Sequence, residues 1–190
     1  MDADGLPVLD DTPGIIGNPN PDWLAGITNT LNYKNLSLSF FFDIKKGGDI
    51  HNATELNNYF FGTAKSTEDR RPIVYKGVSD DGKPNTTEVS AQDLYRYYSD
   101  IDEPAIQDAS YIKLRNVSLS YTLNKQFLKR TPFQSASLIL TGRNLWIYAP
   151  HFTSGDPEGS TYGSSNENQG YYGYAYPSTR SLNITLKAAF

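Results

Sequence analysis

The sequence predicts an all-β fold, in which antiparallel strands form the last part of a transmembrane β-barrel with long extracellular loops. Three observations predict it: strands of alternating hydropathy recur, short and long connections alternate between them, and the final strand ends on an aromatic residue. Successive side chains of a strand point to opposite faces, and barrel strands turn alternate apolar residues toward lipid. A mean hydropathy of −0.53 and the lack of any apolar run near eighteen residues argue against a membrane-spanning helix.

Five strands are expected from this alternation. They cover residues 23–33, 36–46, 110–123, 135–148 and 180–190. The final strand is clear, because Leu182, Ile184 and Leu186 fall on one face and polar residues fall on the other. In the first strand, Trp23 and Tyr33 share a face and lie ten residues apart. Ten residues of a tilted strand rise about 25 Å, the height of a barrel's lipid band between its aromatic girdles.

Two strands contain residues that interrupt the pattern. In the third strand, Lys113 and Arg115 continue the face that carries Val117 and the apolar residues after it. A Lys or Arg at the bilayer midplane costs roughly 2–4 kcal/mol, so these residues are expected above the lipid, or a bulge turns them inward. In the fourth strand Asn144 breaks the alternation and leaves the register open.

The connections support a barrel, because their lengths alternate. The short connections are residues 34–35 and 124–133, and the long ones are residues 47–109 and 149–179. Because short and long connections alternate, both long loops leave from the same end of the predicted strands. No strand pattern persists within 47–109, although capping boxes predict short helices over 53–61 and 91–98. A loop of this length is unusual inside a compact soluble domain. The alternative fold is a soluble β-sandwich carbohydrate-binding module, which would bury the apolar face of the last strand between two sheets.

Composition excludes several classes of function. The formal net charge is −4 and the pI is about 5.1, so no basic face for nucleic acid is indicated. The chain has no cysteine, which excludes disulfides and thiol chemistry. His51 and His151 have no nucleophile or metal-ligand pattern around them, and we do not expect an enzyme.

Motifs along nearly the whole chain resemble the carboxy-terminal part of the SusC/RagA family of TonB-linked outer-membrane transporters. The motifs are Ile16-Gly-Asn-Pro-Asn-Pro-Asp-Trp23, Tyr33-Lys-Asn-Leu-Ser-Leu-Ser-Phe40, Gly47-Gly-Asp49, Tyr111-Ile-Lys-Leu-Arg-Asn-Val-Ser-Leu-Ser-Tyr121, Thr141-Gly-Arg-Asn-Leu145, Gly155-Asp-Pro-Glu158, Tyr176-Pro-Ser-Thr-Arg180 and the terminal Phe190. The resemblance implies a 22-stranded barrel with a plug domain in the bacterial outer membrane. It also implies a SusD-like surface lipoprotein, contact with TonB through the plug region, and uptake of oligosaccharides or peptides.

The resemblance also implies that residues 1–190 are one segment of such a barrel, because the plug and most of the strands are absent. About five strands cannot close a barrel and leave two unpaired edges. The amino terminus carries no export signal. We therefore expect a fragment of a longer exported protein, surrounded by outer-membrane lipid.

One set of candidate site residues lies in the last long loop. Tyr162, Tyr171, Tyr172, Tyr174 and His151 crowd this loop and are expected to bind substrate, since tyrosine offers contact area at low entropic cost. Interfacial and loop packing is the alternative.

Two further sets lie at the ends of the chain. Asp2, Asp4 and Asp11 resemble the end of a calcium loop, with a mobile acidic terminus as the alternative. Phe190 resembles the signal that the barrel assembly machinery reads by pairing with the last strand, with simple packing as the alternative.

Overall fold

The computed structural model describes residues 1–10, 12–79, 81–162 and 169–190. The strands are β1 (Pro21–Tyr33), β2 (Leu36–Gly47), β3 (Asp49–Asn52), β4 (Ile73–Val74), β5 (Glu88–Val89), β6 (Ile106–Asp108), β7 (Tyr111–Thr122), β8 (Ser135–Tyr148), β9 (Tyr171–Tyr172) and β10 (Ser181–Ala189). The helices are α1 (Ala53–Phe61), α2 (Ala91–Tyr98) and α3 (Lys125–Leu128), with 3₁₀ turns at Lys65–Thr67 and Glu103–Ala105. None of these helices is both long and apolar enough to cross a lipid bilayer.

The chain divides into two compact units. Residues Met1–Pro19, Asp49–Asp108 and Ser160–Ala175 form the first, here called the loop unit. Residues Asn20–Gly48, Ala109–Gly159 and Tyr176–Phe190 form the second, here called the sheet unit. Most of both long connections therefore belongs to the loop unit.

The sheet unit is built on a five-stranded antiparallel sheet with the order β1-β2-β7-β8-β10. These are the five strands expected from the alternation, with ends that agree to within two residues. Leu119 pairs with Leu38 and Leu140, and Leu140 pairs with Ile184, so a row of aliphatic side chains crosses one face. Leu182 and Ile184 are 81% and 77% exposed, so the apolar face of β10 is not buried against a second sheet. The β-sandwich alternative is therefore not favoured.

A β-bulge at Arg115 reverses the faces of β7. Asn116 pairs with Phe41 and Leu114 pairs with Phe42, which leaves Arg115 as an extra residue against β2. On one side of the bulge Val117 pairs with Phe40, and on the other side Lys113 pairs with Asp43. Because paired residues share a face, Val117 lies on the apolar face and Lys113 lies on the opposite face. Of the two outcomes expected for Lys113, the inward-turning bulge is the one observed.

A second bulge explains the irregular position in β8. Two residues, Asn144 and Leu145, lie opposite the single residue Arg115 of β7. Asn144 has a φ of 51°, a left-handed conformation that asparagine adopts more readily than most residues, and its Nδ2 donates to the carbonyl of Thr179 at 3.0 Å. A Cβ on Gly142 would lie 2.7 Å from Leu145 Cδ1, so a larger residue here would have to displace the Leu145 side chain.

The loop unit contains more strands than the sequence predicts. β3 pairs with β6 on one side and with β9 on the other, while β4 pairs with β5. The expectation of no strand within 47–109 was wrong, because strands of two to four residues are too short to show an alternating pattern. Both helices begin and end where expected: Asn52 Oδ1 accepts the amide of Glu55 at 3.2 Å, and Ser90 Oγ accepts the amide of Asp93 at 3.1 Å.

Candidate functional site

An ion-pair network lies on the sheet unit, on the face opposite the aliphatic row. Lys113 Nζ, which the bulge turns to this face, lies 2.5 Å from Asp156 Oδ1 and 2.6 Å from Glu158 Oε2. The side chains of Lys113 and Asp156 are only 4% and 6% exposed. Both acids belong to the Gly155-Asp-Pro-Glu158 stretch, about forty residues further along the chain.

Arg115 extends the network to β2. Its Nη2 lies 2.5 Å from Asp43 Oδ2, and its Nη1 donates to Glu158 Oε2 at 2.7 Å. The hydroxyl of Tyr111 also donates to Asp43 Oδ2, at 3.2 Å. Two cations therefore join three carboxylates, and each cation contacts two of them.

The connection after β8 is held by the network at two points. Asp156 Oδ2 accepts the hydroxyl of Ser178 at 2.5 Å, while its Oδ1 accepts the amide of Glu158 at 3.0 Å. Ser178 lies three residues before β10, so the beginning and end of the long connection converge on one carboxylate. Lys113 thereby fixes the base of this loop to the sheet.

Burial and hydrogen bonding oppose each other at the two loop carboxyls. Burial by itself raises the pKa of Asp156, but hydrogen bonds from Lys113, Ser178 and the Glu158 amide outweigh it and hold that pKa below its usual range. The pKa of Glu158 is lowered in the same way, because hydrogen bonds from Arg115 and Lys113 outweigh burial. Both carboxyls are therefore ionised at neutral pH.

An aromatic cluster in the loop unit includes two of the predicted substrate-binding tyrosines. The ring of Tyr171 stacks on His51 with centroids 5.2 Å apart and planes 11° apart, and Tyr162 packs against Tyr171 at 5.4 Å. His51 Nε2 lies 2.8 Å from Asp102 Oδ1. No sequence pattern indicates a role for His51 and Asp102, because 51 residues separate them and only the folded chain brings them together.

The other predicted binding residues lie apart from this cluster. Tyr172 is 2% exposed and its hydroxyl donates to the carbonyl of Ala175 at 2.9 Å, so its ring packs in the core of the loop unit. Tyr174 is exposed, and its amide donates to Thr54 Oγ1 at 2.8 Å. His151 belongs to the sheet unit, where it lines a groove with Trp23 and Tyr148. Substrate binding by all five residues stays a prediction.

The acidic amino terminus forms a turn of its own. Asp2 Oδ1 accepts the amides of Asp4 and Leu6 at 3.0 and 2.8 Å. Among the described residues, no group of three acidic, histidine or cysteine side chains is placed to hold a metal ion. Asp11, the third proposed ligand, lies outside the described residues, so the calcium site stays a prediction.

The terminal aromatic residue is available for contact. Phe190 is 79% exposed, and its ring packs against Phe133 with centroids 5.2 Å apart. The amide of Gln134 donates to the carbonyl of Ala189 at 2.7 Å. The chain end is therefore held beside the start of β8, while its role as an assembly signal stays a prediction.

The chain is similar in sequence to known TonB-dependent receptors. The chain is 30% identical over 197 residues to TonB-dependent receptor P26 of Formosa agariphila, covering 99% of this chain and 19% of that receptor. It is 31% identical over 192 residues to TonB-dependent receptor P3 of the same organism, covering 93% of this chain and 17% of the receptor. No family model matches the chain.

Solved structures show the same fold. Structures of the RagAB peptide importer in its open-open and closed-closed states each superpose with a TM-score of 0.63 at 19% identity. They cover 93% and 100% of this chain, which corresponds to 18% and 20% of the importer chains. In sequence and fold the chain therefore resembles TonB-dependent receptors of the SusC/RagA family. It spans about a fifth of the length of the curated relatives it matches.

Proposed function

We propose that this chain supplies the closing strands and two outer loops of a TonB-dependent nutrient importer in the bacterial outer membrane. The observation that carries the proposal is the division of the sheet into two unlike faces. One face presents aliphatic side chains that remain exposed, and the other carries charges that hold a long loop. Such a sheet suits a barrel wall between lipid and a polar interior.

The remaining parts of the importer follow from the family. A barrel of 22 strands would be completed by strands outside residues 1–190, and a plug domain would contact TonB. A SusD-like surface lipoprotein would act as the partner, and the barrel assembly machinery would insert the protein. The substrate is an oligosaccharide or a peptide; RagAB, whose fold this chain shares, is a peptide importer, which supports the second.

The ion-pair network has a defined role in this function. A binding loop contributes to uptake only if its ends are fixed, because each flexible residue adds an entropic cost to binding. The convergence of Lys113, Asp156 and Ser178 at the base of the connection supplies that constraint. The sheet thereby holds both ends of this connection, at Asp156 and at Ser178.

Replacing residues 160–175 of the full-length receptor with a Gly/Ser linker of equal length tests the proposal. The expected result is a receptor that still inserts into the outer membrane, detected by surface labelling, but no longer supports growth on its substrate. A Gly/Ser linker replacing residues 124–133, at the opposite end of the strands, serves as the control and should retain uptake. Unchanged uptake after replacement of 160–175 would refute the proposed role of the loop.

A further inference from the structure

Charge is divided very unevenly between the two units. The loop unit contains 17 acidic and 6 basic residues, a formal net charge of −11. The sheet unit contains 4 acidic and 11 basic residues, a formal net charge of +7. The modest net charge of the whole chain therefore conceals a strongly acidic unit made of its long connections.

Many of the acidic side chains of the loop unit are exposed. They are Asp2, Asp4, Asp10, Glu68, Asp69, Asp81, Glu88, Asp93, Asp100, Asp102 and Glu103. Asp69 and Asp81 form ion pairs with the nearby Arg71 and Lys83, at 2.5 Å in both cases. A surplus of this size creates a negative potential, which concentrates cationic solutes and repels anionic ones within about 10 Å at moderate salt.

A cavity of about 280 Å³ lies within the same unit. Its polar lining includes the carboxylates of Asp49 and Asp102, and its apolar lining includes Ile15, Ile16 and Ile106. No Lys or Arg is among the described residues that line it. An aliphatic wall beside carboxylates matches a lysine or arginine side chain, which buries its methylene stem and pairs its charged end.

His51 also lines this cavity, and its Nε2 lies 2.8 Å from Asp102 Oδ1. An ionised carboxylate only accepts hydrogen bonds, so the contact with Asp102 places the proton of a neutral imidazole on Nε2 and leaves a lone pair on Nδ1. Nδ1 is buried and has no hydrogen-bond partner among the described residues. Because Nδ1 is buried, a ligand in the cavity does not reach it, and the part of His51 that acts at the cavity is the contact of Nε2 with Asp102.

The aromatic cluster packs against His51 and does not itself line the cavity. Tyr171 stacks on His51, and Tyr162 packs against Tyr171. The features of the cavity lining that favour a cationic side chain are therefore its two carboxylates and its aliphatic wall.

We propose that this cavity binds a lysine or arginine side chain of a peptide, and that the net charge of the loop unit favours cationic peptide substrates. The inference rests on the proposed import function and names its substrate class. Asp49 and Asp102 pair with the cation, the isoleucines contact its stem, and His51 holds Asp102 through its Nε2. Asp49 retains acceptor capacity beside the bond that its Oδ2 accepts from the Asn18 amide at 2.8 Å, because a carboxylate has about four acceptor sites.

Binding of three matched peptides to the purified full-length receptor tests the proposal. The probes are blocked Ala-Gly-X-Gly-Ala pentapeptides, with X as lysine, glutamine or glutamate, measured by calorimetry at 50 and 300 mM salt. The lysine peptide should bind about tenfold more tightly than the glutamine peptide, because one charge-assisted hydrogen bond contributes about that difference in affinity. The glutamate peptide should bind most weakly, and higher salt should narrow the differences.

A matched pair of variants separates the cavity from the general field. Asp102→Asn and Asp69→Asn remove the same charge from the same unit, but only Asp102 lines the cavity. Asp102→Asn should remove most of the preference for lysine over glutamine, and Asp69→Asn should leave it nearly intact. The proposal would be overturned if both variants lost the preference for lysine equally. It would also be overturned if the three peptides bound equally or if none of them bound.

Uptake assays distinguish this inference from the proposed function. A receptor that binds the lysine peptide but imports no solute would contradict the import function and leave the cavity assignment standing. A receptor that imports solutes regardless of their charge would contradict the inference and leave the import function standing.

Discussion

Lys113 shows how one residue can hold both ends of a long connection. Its amine is nearly excluded from solvent and contacts two carboxylates of the connection after β8. Substituting one partner of a buried ion pair costs about 3–5 kcal/mol, because the remaining charge is left buried without a counter-ion. Lys113→Met in the full-length receptor should therefore lower stability by about this amount and expose residues 149–179 to protease.

The matched control for this prediction is Lys187→Met, which changes an exposed lysine of β10. Urea unfolding and limited proteolysis of the two variants give the comparison. Adding Asp156→Leu to Lys113→Met should restore part of the lost stability, since the unpaired charge is removed. A loop that stays equally resistant to protease in both single variants would contradict the role assigned to Lys113.

Titration of the same network gives a prediction about pH. The pKa values of Asp156 and Glu158 are lowered in the folded protein, so the unfolded state binds more protons as the pH falls through the ordinary carboxyl range. The stabilisation is complete above the unfolded-state pKa, about 4, and is lost as the pH falls through the lowered folded values. Protease resistance of the loop should be constant from about pH 5 to 8 and decrease below about pH 4. A decrease at near-neutral pH would contradict this assignment.

At the scale of elements, the left-handed residue of β8 can be tested directly. Asn144 has a positive φ, which a β-branched residue adopts only at a cost of roughly 1–2 kcal/mol, and its side chain bonds to Thr179. Asn144→Val should lower the unfolding temperature of the full-length receptor in detergent. Asn144→Gly should lower it less, because glycine loses the hydrogen bond but accepts the conformation. The reverse order would show that backbone conformation is not the determining property.

The elements could be predicted from sequence to very different extents. β10 and β2 were found because their apolar residues alternate over nine or more positions. β3 and β9 could not be found, because each is very short and their pairing joins His51 to Tyr171. A bulge in β7 was one of two expected outcomes. The partners of the Arg115 side chain, Asp43 and Glu158, could not be predicted, because they are distant in sequence. Tyr171 and Tyr172 are neighbours of one type, and only the fold shows that Tyr172 is a core residue.

The end of the final strand gives a prediction that separates assembly from stability. Phe190 is exposed and contacts Phe133, so its packing contribution is small. If the residue is an assembly signal, its deletion from the full-length receptor should reduce outer-membrane insertion in cells. A receptor refolded in detergent should keep nearly the same unfolding temperature without it. Normal insertion of the deletion variant would refute the role of Phe190 as an assembly signal. Phe133→Ala is the control, because it removes only the contact between the two rings.

At the scale of the whole molecule, the sheet has two edges and one uncovered apolar face. Within the described residues β1 pairs only with β2 and β10 pairs only with β8. Unpaired edges and exposed apolar patches promote association in water. Produced alone, the chain should therefore partition into detergent or inclusion bodies, as sedimentation and size-exclusion chromatography would show. A monodisperse monomer in detergent-free buffer would contradict this expectation.

The bulge at Arg115 affects the hydropathy pattern as a frameshift affects a reading frame. Residues on either side of it follow the same two-residue period, but the single added residue exchanges the parity of the two halves. The hydropathy pattern averaged over all of β7 is therefore weak, although each half of the strand is clearly amphipathic. If β7 paired regularly, with Arg115 present but without the bulge, Lys113 would lie on the face of Val117, because the two residues are four positions apart. Insertions and deletions of one residue thus change such strands more than most substitutions do, because they determine which side of the wall each residue faces.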